Sequence, residues 1–269
     1  MNRRSFFALG GACMVCGCAG AVHQLPQVSD NHLSLAQSEV QGAGGPPARR
    51  ALTDAEVDDI MRSALARIRP TAEQTCREMN VGVCNWQVTA SGNRSINAGA
   101  GANGSIFINR GVVEYAANEE EVCLVFAHEM GHQAANHLAT NKRNTMTGAL
   151  IGAILLGAAG AAASYRSPYA GQITRSAMDT GAQVGGAIGR ISYSKEQERE
   201  ADYLAAVVLY RSNVDLDQAR GLLVTMARAS GRKDTGLLDT HPAGPERLAA
   251  WDRAVAEIRA ARGALPARA

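Results

Sequence analysis

The stretch Ala127-His128-Glu129-Met130-Gly131-His132 is the part of this 269-residue chain around which the rest is organised. Residues four positions apart share one face of an α-helix, so His128 and His132 can present two imidazole nitrogens to one metal ion. Glu129 falls beside them, where its carboxylate can act as a base on water. The stretch therefore predicts a helix that carries two metal ligands and a base.

The residues before this stretch can start such a helix. Asn118 is a suitable N-cap, and the glutamates at 119–121 follow in the first turn, where the helix dipole favours acidic side chains. Residues 122–126 are apolar and supply a body that can be buried. The motif is therefore expected on a helix, as its metal chemistry requires.

Composition narrows the class of protein. The formal net charge of +2 is close to neutral and gives no reason to expect a nucleic-acid partner. Aromatic residues make up only 4% of the chain beside 28 glycines, which favours a helix-rich protein with close helix contacts. We therefore expect an α+β fold that is mostly α.

The start of the chain, residues 1–18, is predicted to be an export signal. Arg3 and Arg4 precede an apolar run, which is the order of a secretory or twin-arginine signal. The run ends in Val15-Cys16-Gly17-Cys18, which resembles a bacterial lipobox, so Cys18 is expected to carry a lipid. We therefore expect an exported protein, anchored in the periplasm to the outer membrane, with a plain cleaved signal as the alternative.

Three further segments are expected after the signal. Residues 19–50 are rich in Gln, Ser, Gly and Pro, which predicts a flexible linker with His23 and His32 as solvated residues. The main domain is expected over 51–265. Within it, the Gly/Ala-rich stretch 145–191 contains small-xxx-small spacings, which favour two packed helices that form a cap or a membrane-leaning surface.

The cysteines beyond the signal are Cys76, Cys84 and Cys123. Cys76 and Cys84 could form a disulfide in an oxidising compartment, whereas Cys123 is expected to be a buried small hydrophobe. No C-x-x-C pattern occurs after the signal, so a cysteine-based metal site is not expected.

A second charged helix can complete a metal site, because zinc with an open catalytic position needs three protein ligands. Ser194 can cap a helix on which Glu198 and Asp202 lie four residues apart on one face. Glu200 points about half-way round that helix. We predict Glu198 as the third ligand and Asp202 as an acceptor that orients a ligand histidine.

Together, these stretches resemble the HtpX-like and CAAX-prenyl-protease family of gluzincin metallopeptidases, and its exported lipoprotein members in particular. The family combines an H-E-x-x-H helix, often with a further histidine five residues on, with E-x-x-x-D on a later helix. An Asn-Ala element and a strand come earlier, and a His-Pro followed by an Arg comes near the end. The matching residues are Asn97, Ala98, Ser105 to Asn109, His137, Glu198, Asp202, His241, Pro242 and Arg247.

The resemblance implies a zincin-like fold, with a small sheet next to the H-E-x-x-H helix, and one Zn²⁺ per chain. The ligands that it implies are His128, His132 and Glu198. Glu129 would be the general base. His241, supported by Arg247, would stabilise the oxyanion on the scissile carbonyl, or would bind zinc as a plug in a resting form. His137 lies five residues along the helix, which rotates it off the zinc-facing side, so it is expected to support the site.

Substrate binding is expected at the sheet, because in peptidases of this kind an edge strand beside the zinc pairs with an extended substrate. The candidate is the strand Ser105-Ile106-Phe107-Ile108-Asn109 together with Asn97, with an ordinary core strand as the alternative. The family usually has an aromatic residue after Asn-Ala, where this chain has Gly99. The wall of the substrate site is therefore expected to differ.

The sequence thus predicts an exported zinc endopeptidase that hydrolyses unfolded envelope proteins, with polypeptides and a membrane as its partners. Two alternatives stay open. One is a chaperone-like or scaffold factor whose zinc site is idle because His241 plugs it. The other is a membrane-interaction protein that uses the stretch 145–191.

Overall fold

Helix α4, Glu119–Ala134, carries the H-E-x-x-H stretch through the middle of the fold. Its N-cap is Asn118, as predicted, and the Asn118 side chain accepts a hydrogen bond from the Glu121 backbone N–H at 2.9 Å. Every residue from 121 to 134 is buried, including the polar ones. Because a helix that is buried all round needs neighbours on every side, α4 organises the elements around it.

The computed structural model describes residues 21–44, 48–143, 193–229, 241 and 244–269, together with scattered single positions between 145 and 179. The other helices of this part are α1 (Asp30–Gly42), α2 (Asp54–Met79), α3 (Arg110–Tyr115), α5 (Lys195–Arg211), α6 (Leu216–Ala219), α7 (Gly221–Ala229) and α8 (Pro245–Ala260). The predicted export signal, with Cys18, and most of the Gly/Ala-rich stretch lie outside the described residues. Within the described part, every helix is too short or too polar to pass through a membrane.

Helices α2 and α5 both pack against α4. Helix α8 in turn packs against α5. The largest fully buried side chains of this core include Trp86, Phe126, Tyr203 and Trp251. Helix α5 begins with a capping box at Ser194, whose hydroxyl accepts from the Gln197 backbone N–H. The mostly α architecture with a small sheet confirms the predicted fold class.

The sheet has three strands, β1 (Gln87–Ser91), β2 (Ala98–Ala100) and β3 (Ser105–Asn109), in the order β1-β3-β2. Strand β3 runs parallel to β1 and antiparallel to β2. The expectation that β3 is an edge strand for substrate is therefore wrong, because neighbouring strands occupy both of its edges. The strand at the edge of the sheet that also packs against α4 is β2.

The burial of the β3 side chains agrees with the central position of this strand in the sheet. Ile106 and Ile108 are buried in the core, whereas Phe107 points to the other face and is 41% exposed. Phe107 lies opposite Gly99 of β2, and a Cβ at Gly99 would meet the Phe107 ring at 2.7 Å. The ring of Phe107 therefore occupies the space that a side chain at position 99 would take.

Two kinds of link fix the sheet to neighbouring helices, one to α4 and one to α2. The amide of Gln133, near the end of α4, donates to the carbonyl of Gly101 at 2.7 Å and to that of Ser105 at 3.1 Å. A disulfide joins Cys76 of α2 to Cys84, just before β1, which is the pairing that the sequence allows. Cys123 is a buried free thiol, as expected.

Residues 21–44 are folded, although the sequence predicts a flexible linker over 19–50. Helix α1 is capped by Ser29 and packs against α8 and α7. Arg220 holds it from outside, because its guanidinium contacts Glu39 at 2.6 Å and Asp252 at 2.6 Å. His23 is also buried, at 4% exposure, so the expectation that it is solvated is wrong.

Candidate metal centre

Four buried side chains bring potential metal-ligand atoms to one point. His128 and His132 come from α4, Glu198 comes from α5, and His241 comes from the segment before α8. Their ligand atoms all lie within 4.8 Å of one another. Three of the four are the predicted ligands, and the fourth is the histidine of the His-Pro pair.

The spacing of these atoms fits a tetrahedral metal ion. The Nε2 atoms of His128 and His132 are 3.0 Å apart, and His132 Nε2 lies 3.3 Å from the Glu198 carboxylate. His241 Nδ1 lies 3.2 Å from His128 Nε2 and 2.9 Å from Glu198. Tetrahedral ligands about 2.0 Å from a zinc ion are about 3.3 Å apart, so the cluster has the size of a zinc site.

Asp202 and Arg247 hold the imidazole of His128 in place. His128 Nδ1 donates to Asp202 at 2.9 Å, which leaves the Nε2 lone pair facing the cluster. Arg247 grips Asp202 with two hydrogen bonds, at 2.6 and 2.8 Å, and its third nitrogen lies 2.8 Å from Glu198. This places Asp202 in the orienting position that the sequence predicts.

The electrostatics of the cluster favour a cation. Burial opposes ionisation of Glu198 and Asp202, but the charge of Arg247 outweighs it and holds the pKa of both carboxyls below the usual range. Burial likewise opposes ionisation of Glu200, but hydrogen bonds from His137 and His23 lower its pKa to about 2. The buried carboxylates of Glu198 and Asp202 thus share the single guanidinium of Arg247, and a bound cation would balance the remaining negative charge.

The histidines respond to the same surroundings. Burial lowers the pKa of His132 well below its usual value, which keeps the ring in the neutral form that a metal requires. Burial and Arg247 also act to lower the pKa of His128, but Asp202 and Glu198 outweigh them and raise it to about 9.

Glu129 lies beside the cluster and is fully buried. Among the residues that the structure describes, neither of its carboxyl oxygens has a hydrogen-bond partner, and His241 Nε2 lies 3.5 Å from one of them. An unpartnered buried carboxyl is costly, and it stays available for water or for a substrate. Its position matches the predicted base.

His132 is supported by His137 and Glu200, which the sequence does not predict to act together. The Nδ1 atom of His132 lies 2.8 Å from His137 Nδ1, and His137 Nε2 lies 3.0 Å from the carboxylate of Glu200. His137 thus has the supporting position that the sequence suggests. Glu200 does point away from the ligand Glu198, but it reaches the metal cluster through His137 instead of facing solvent.

Tyr193 also contacts this ligand, although no sequence pattern singles it out. Its ring stacks on the His132 ring with centroids 3.7 Å apart and planes 24° from parallel. Burial raises the pKa of the Tyr193 hydroxyl, so this group stays neutral. The ring therefore adds a flat apolar support to the His132 imidazole.

Gly131, inside the H-E-x-x-H motif, lets α4 and α5 approach closely enough to share the cluster. A Cβ at this position would lie 2.9 Å from the carbonyl oxygen of Ala201 and 3.2 Å from its Cα. The neighbouring atoms are backbone, so they can yield only if the helices separate. The ligands of α4 and α5 would then separate too.

Gly131→Ala is therefore expected to lower the free energy of unfolding by about 1 to 3 kcal/mol and to weaken metal binding as well. Urea unfolding and metal content of the purified protein check both effects. Gly42→Ala is the matched control, because a Cβ there meets nothing within 4 Å. Equal metal binding in Gly131→Ala and the control would show that the close approach does not position the ligands.

This arrangement defines the class of the protein. Two histidines four apart on one helix, a glutamate on a second helix and a buried carboxyl between them form the site of a gluzincin-type metallopeptidase. The chain belongs to peptidase family M48, whose pattern matches residues 63–255. The resemblance seen in the sequence is thereby confirmed.

Three curated relatives of this chain are named as peptidases. The chain is 35% identical over 167 residues to the beta-barrel assembly-enhancing protease of Escherichia coli K12, which covers 58% of this chain and 32% of that protein. It is 30% identical over 152 residues to the metalloprotease YcaL of the same strain, covering 56% of this chain and 55% of YcaL. The mitochondrial metalloendopeptidase OMA1 of Saccharomyces cerevisiae is 27% identical over 166 residues, covering 60% of this chain and 42% of OMA1.

The chain thus spans about a third of the length of the assembly-enhancing protease that it matches. The family and the names of these relatives support the prediction of a zinc metalloendopeptidase.

Proposed function

We propose that this protein is a zinc endopeptidase that cleaves unfolded proteins of the bacterial envelope. The observation that carries the proposal is the buried cluster of His128, His132, Glu198 and His241 with the unpartnered carboxyl of Glu129 beside it. Two or three imidazoles and one carboxylate bind zinc in preference to calcium or magnesium.

In this proposal His128, His132 and Glu198 hold one Zn²⁺, which supplies Lewis-acid polarisation of the scissile carbonyl when bound. Glu129 takes the proton from the attacking water and delivers it to the leaving nitrogen. Asp202 keeps the Nδ1 proton on His128, and Arg247 keeps Asp202 and Glu198 ionised. The fully buried walls exclude bulk water, so each of these charges acts in a low dielectric.

The substrate is proposed to bind along β2. This three-residue strand is at the edge of the sheet and packs against α4, so an extended peptide could add to it as a further strand. Asn97, which directly precedes β2, has a buried side-chain oxygen without a partner among the described residues. Phe107, exposed above Gly99, would line the outer side of the same strand.

The location is proposed from the sequence and the relatives together. Residues 1–18 have the order of an export signal, and the name of one relative connects it with the assembly of β-barrel proteins. We therefore place the protein in the periplasm, with Cys18 as a lipid anchor to the outer membrane. Polypeptide chains are the proposed substrates.

The second candidate, a resting protein with a plugged site, is favoured by the place of His241. Its Nδ1 lies among the other ligand atoms, at the fourth position of the tetrahedron, rather than beside a carbonyl-binding space. A fourth protein ligand closes the position that a substrate needs. We propose that this arrangement is a closed form and that cleavage requires His241 to leave.

His241→Ala tests the two roles of this histidine. If His241 is a plug, the variant cleaves unfolded casein about tenfold or more faster than the unaltered protein at equal zinc content. If His241 stabilises the oxyanion, cleavage falls by about a hundredfold. Casein gel assays with zinc determined on the same samples distinguish these results, and an unchanged rate would exclude both roles.

The experiment that tests the proposed function itself is cleavage of casein by the zinc-loaded full chain. Removal of zinc by a chelator is expected to stop cleavage, and added zinc is expected to restore it. Cleavage that persists without metal would contradict the proposal.

A further inference from the structure

The segment of residues 22–26, called the N-terminal strap below, is attached to the domain along its whole length. The carbonyl of Val22 accepts from the Ala269 backbone N–H at 2.9 Å, and the Gln24 N–H donates to Ala267 at 2.8 Å. Arg199 of α5 donates to the carbonyl of Pro26 at 2.5 Å. The strap therefore lies between the C-terminal residues and helix α5.

The strap contacts the buried carboxylate of Glu200 with three hydrogen-bond donors. The backbone N–H of Val22 donates to one oxygen at 2.9 Å, and the backbone N–H of His23 donates to the other at 3.0 Å. The His23 ring adds Nδ1 at 2.5 Å to that second oxygen. Glu200 is fully buried, so these donors replace water at its carboxylate.

The other side of Glu200 leads to the metal cluster, and its geometry fixes where the protons lie. A metal on His132 Nε2 requires the proton on Nδ1, which then donates to His137 Nδ1 at 2.8 Å. His137 accepts there, so its own proton is on Nε2 and donates to Glu200 at 3.0 Å. Each hydrogen bond in this series of contacts sets the orientation of the next side chain.

We infer that the N-terminal strap is a positioning element of the metal centre, acting from His23 through Glu200 and His137 on the ligand His132. This inference rests on the zinc site proposed above. The strap would hold the carboxylate at the angle that orients His137, and His137 would hold the His132 ring with its Nε2 toward the metal. Outer partners of this kind tune metal affinity without touching the metal.

The contacts of the strap favour a role in positioning the metal centre over a role as a clip that only attaches the N-terminal residues to the domain. A clip needs only backbone pairing, which residues 267–269 already supply. Instead, the strap places an imidazole and two backbone N–H groups on one carboxylate, which also contacts His137.

The test compares zinc release from the full chain carrying His23→Ala, His23→Asn or His32→Ala. Loss of the ring donor is expected to speed zinc release to a chelator by about tenfold, the low end for a partner outside the ligand shell. Asn places an N–H close to the position of Nδ1, so His23→Asn is expected to restore slow release. His32 is the matched control, because its ring lies near the surface and bonds to Ser29, away from the chain of contacts.

A second readout separates positioning from lost stability. Zinc raises the melting temperature by an amount that depends on its affinity, so His23→Ala is expected to reduce this rise more than it lowers the melting temperature of the metal-free protein. The visible spectrum of the Co²⁺-loaded variant is expected to shift, since it reports ligand geometry. Glu200→Gln replaces His23→Ala in both assays if the latter does not fold.

The outcomes distinguish this inference from the proposed function. An unaltered chain that holds no zinc would refute the proposed function, on which the strap's role depends. A zinc-loaded unaltered chain, with release rate and Co²⁺ spectrum unchanged in the variants, would overturn the strap's role alone.

Discussion

Replacing Glu129 by Gln is expected to leave zinc bound and to lower the rate of casein cleavage by at least about a hundredfold. Glutamine has nearly the same size, so the buried space stays filled, but its amide cannot take a proton from water at neutral pH. General bases of this kind contribute about 10² to 10⁴ to the rate. The measurement is a cleavage rate per bound zinc.

The matched control for this variant is Glu120→Gln on the same helix. Glu120 lies near the surface, where it pairs with Arg67 at 3.0 Å, so its charge can be removed without touching the cluster. The control is expected to cleave at nearly the unaltered rate. Full activity of Glu129→Gln, with its zinc retained, would refute the assignment of the base.

Replacing Glu198 by Ala is expected to have the largest effect on metal binding. It removes one ligand and also leaves the Nη1 atom of Arg247 without its carboxylate partner at 2.8 Å. The guanidinium would keep Asp202 as its carboxylate partner, but its charge would be less well balanced and would oppose a cation, so affinity is expected to fall by more than about a hundredfold. Zinc content after dialysis gives this result directly.

Glu196→Ala is the control for this prediction, because Glu196 is exposed on the same first turn of α5. It is expected to bind one zinc per chain. Glu198→Gln separates the two effects, since glutamine keeps the shape of the side chain and removes its charge. Retention of zinc by both Glu198 variants would show that the third ligand lies elsewhere.

The parts of the site that the sequence predicts are those fixed by local rules. Helix spacing alone places His128 and His132 on one face and puts Glu198 and Asp202 together. The Asn118 and Ser194 caps are likewise local, because each satisfies backbone groups within three residues. Such features depend on few neighbours, so the sequence displays them.

The parts that the sequence misses depend on distant neighbours. The central position of β3 follows from pairing with β1 and β2 together, and no pattern within β3 reveals it. Helix α1 has a readable cap and apolar residues at Leu33, Ala36 and Val40, but its polar composition hides them. The strap is the extreme case, since His23 and Glu200 are 177 residues apart.

X-ray absorption at the zinc edge on the purified full chain tests the proposed zinc site most directly. We expect one zinc per chain, surrounded only by nitrogen and oxygen at about 2.0 to 2.1 Å, with the scattering of two or three imidazole rings. A chain without zinc, or a zinc ion with a sulfur ligand at about 2.3 Å, would contradict it.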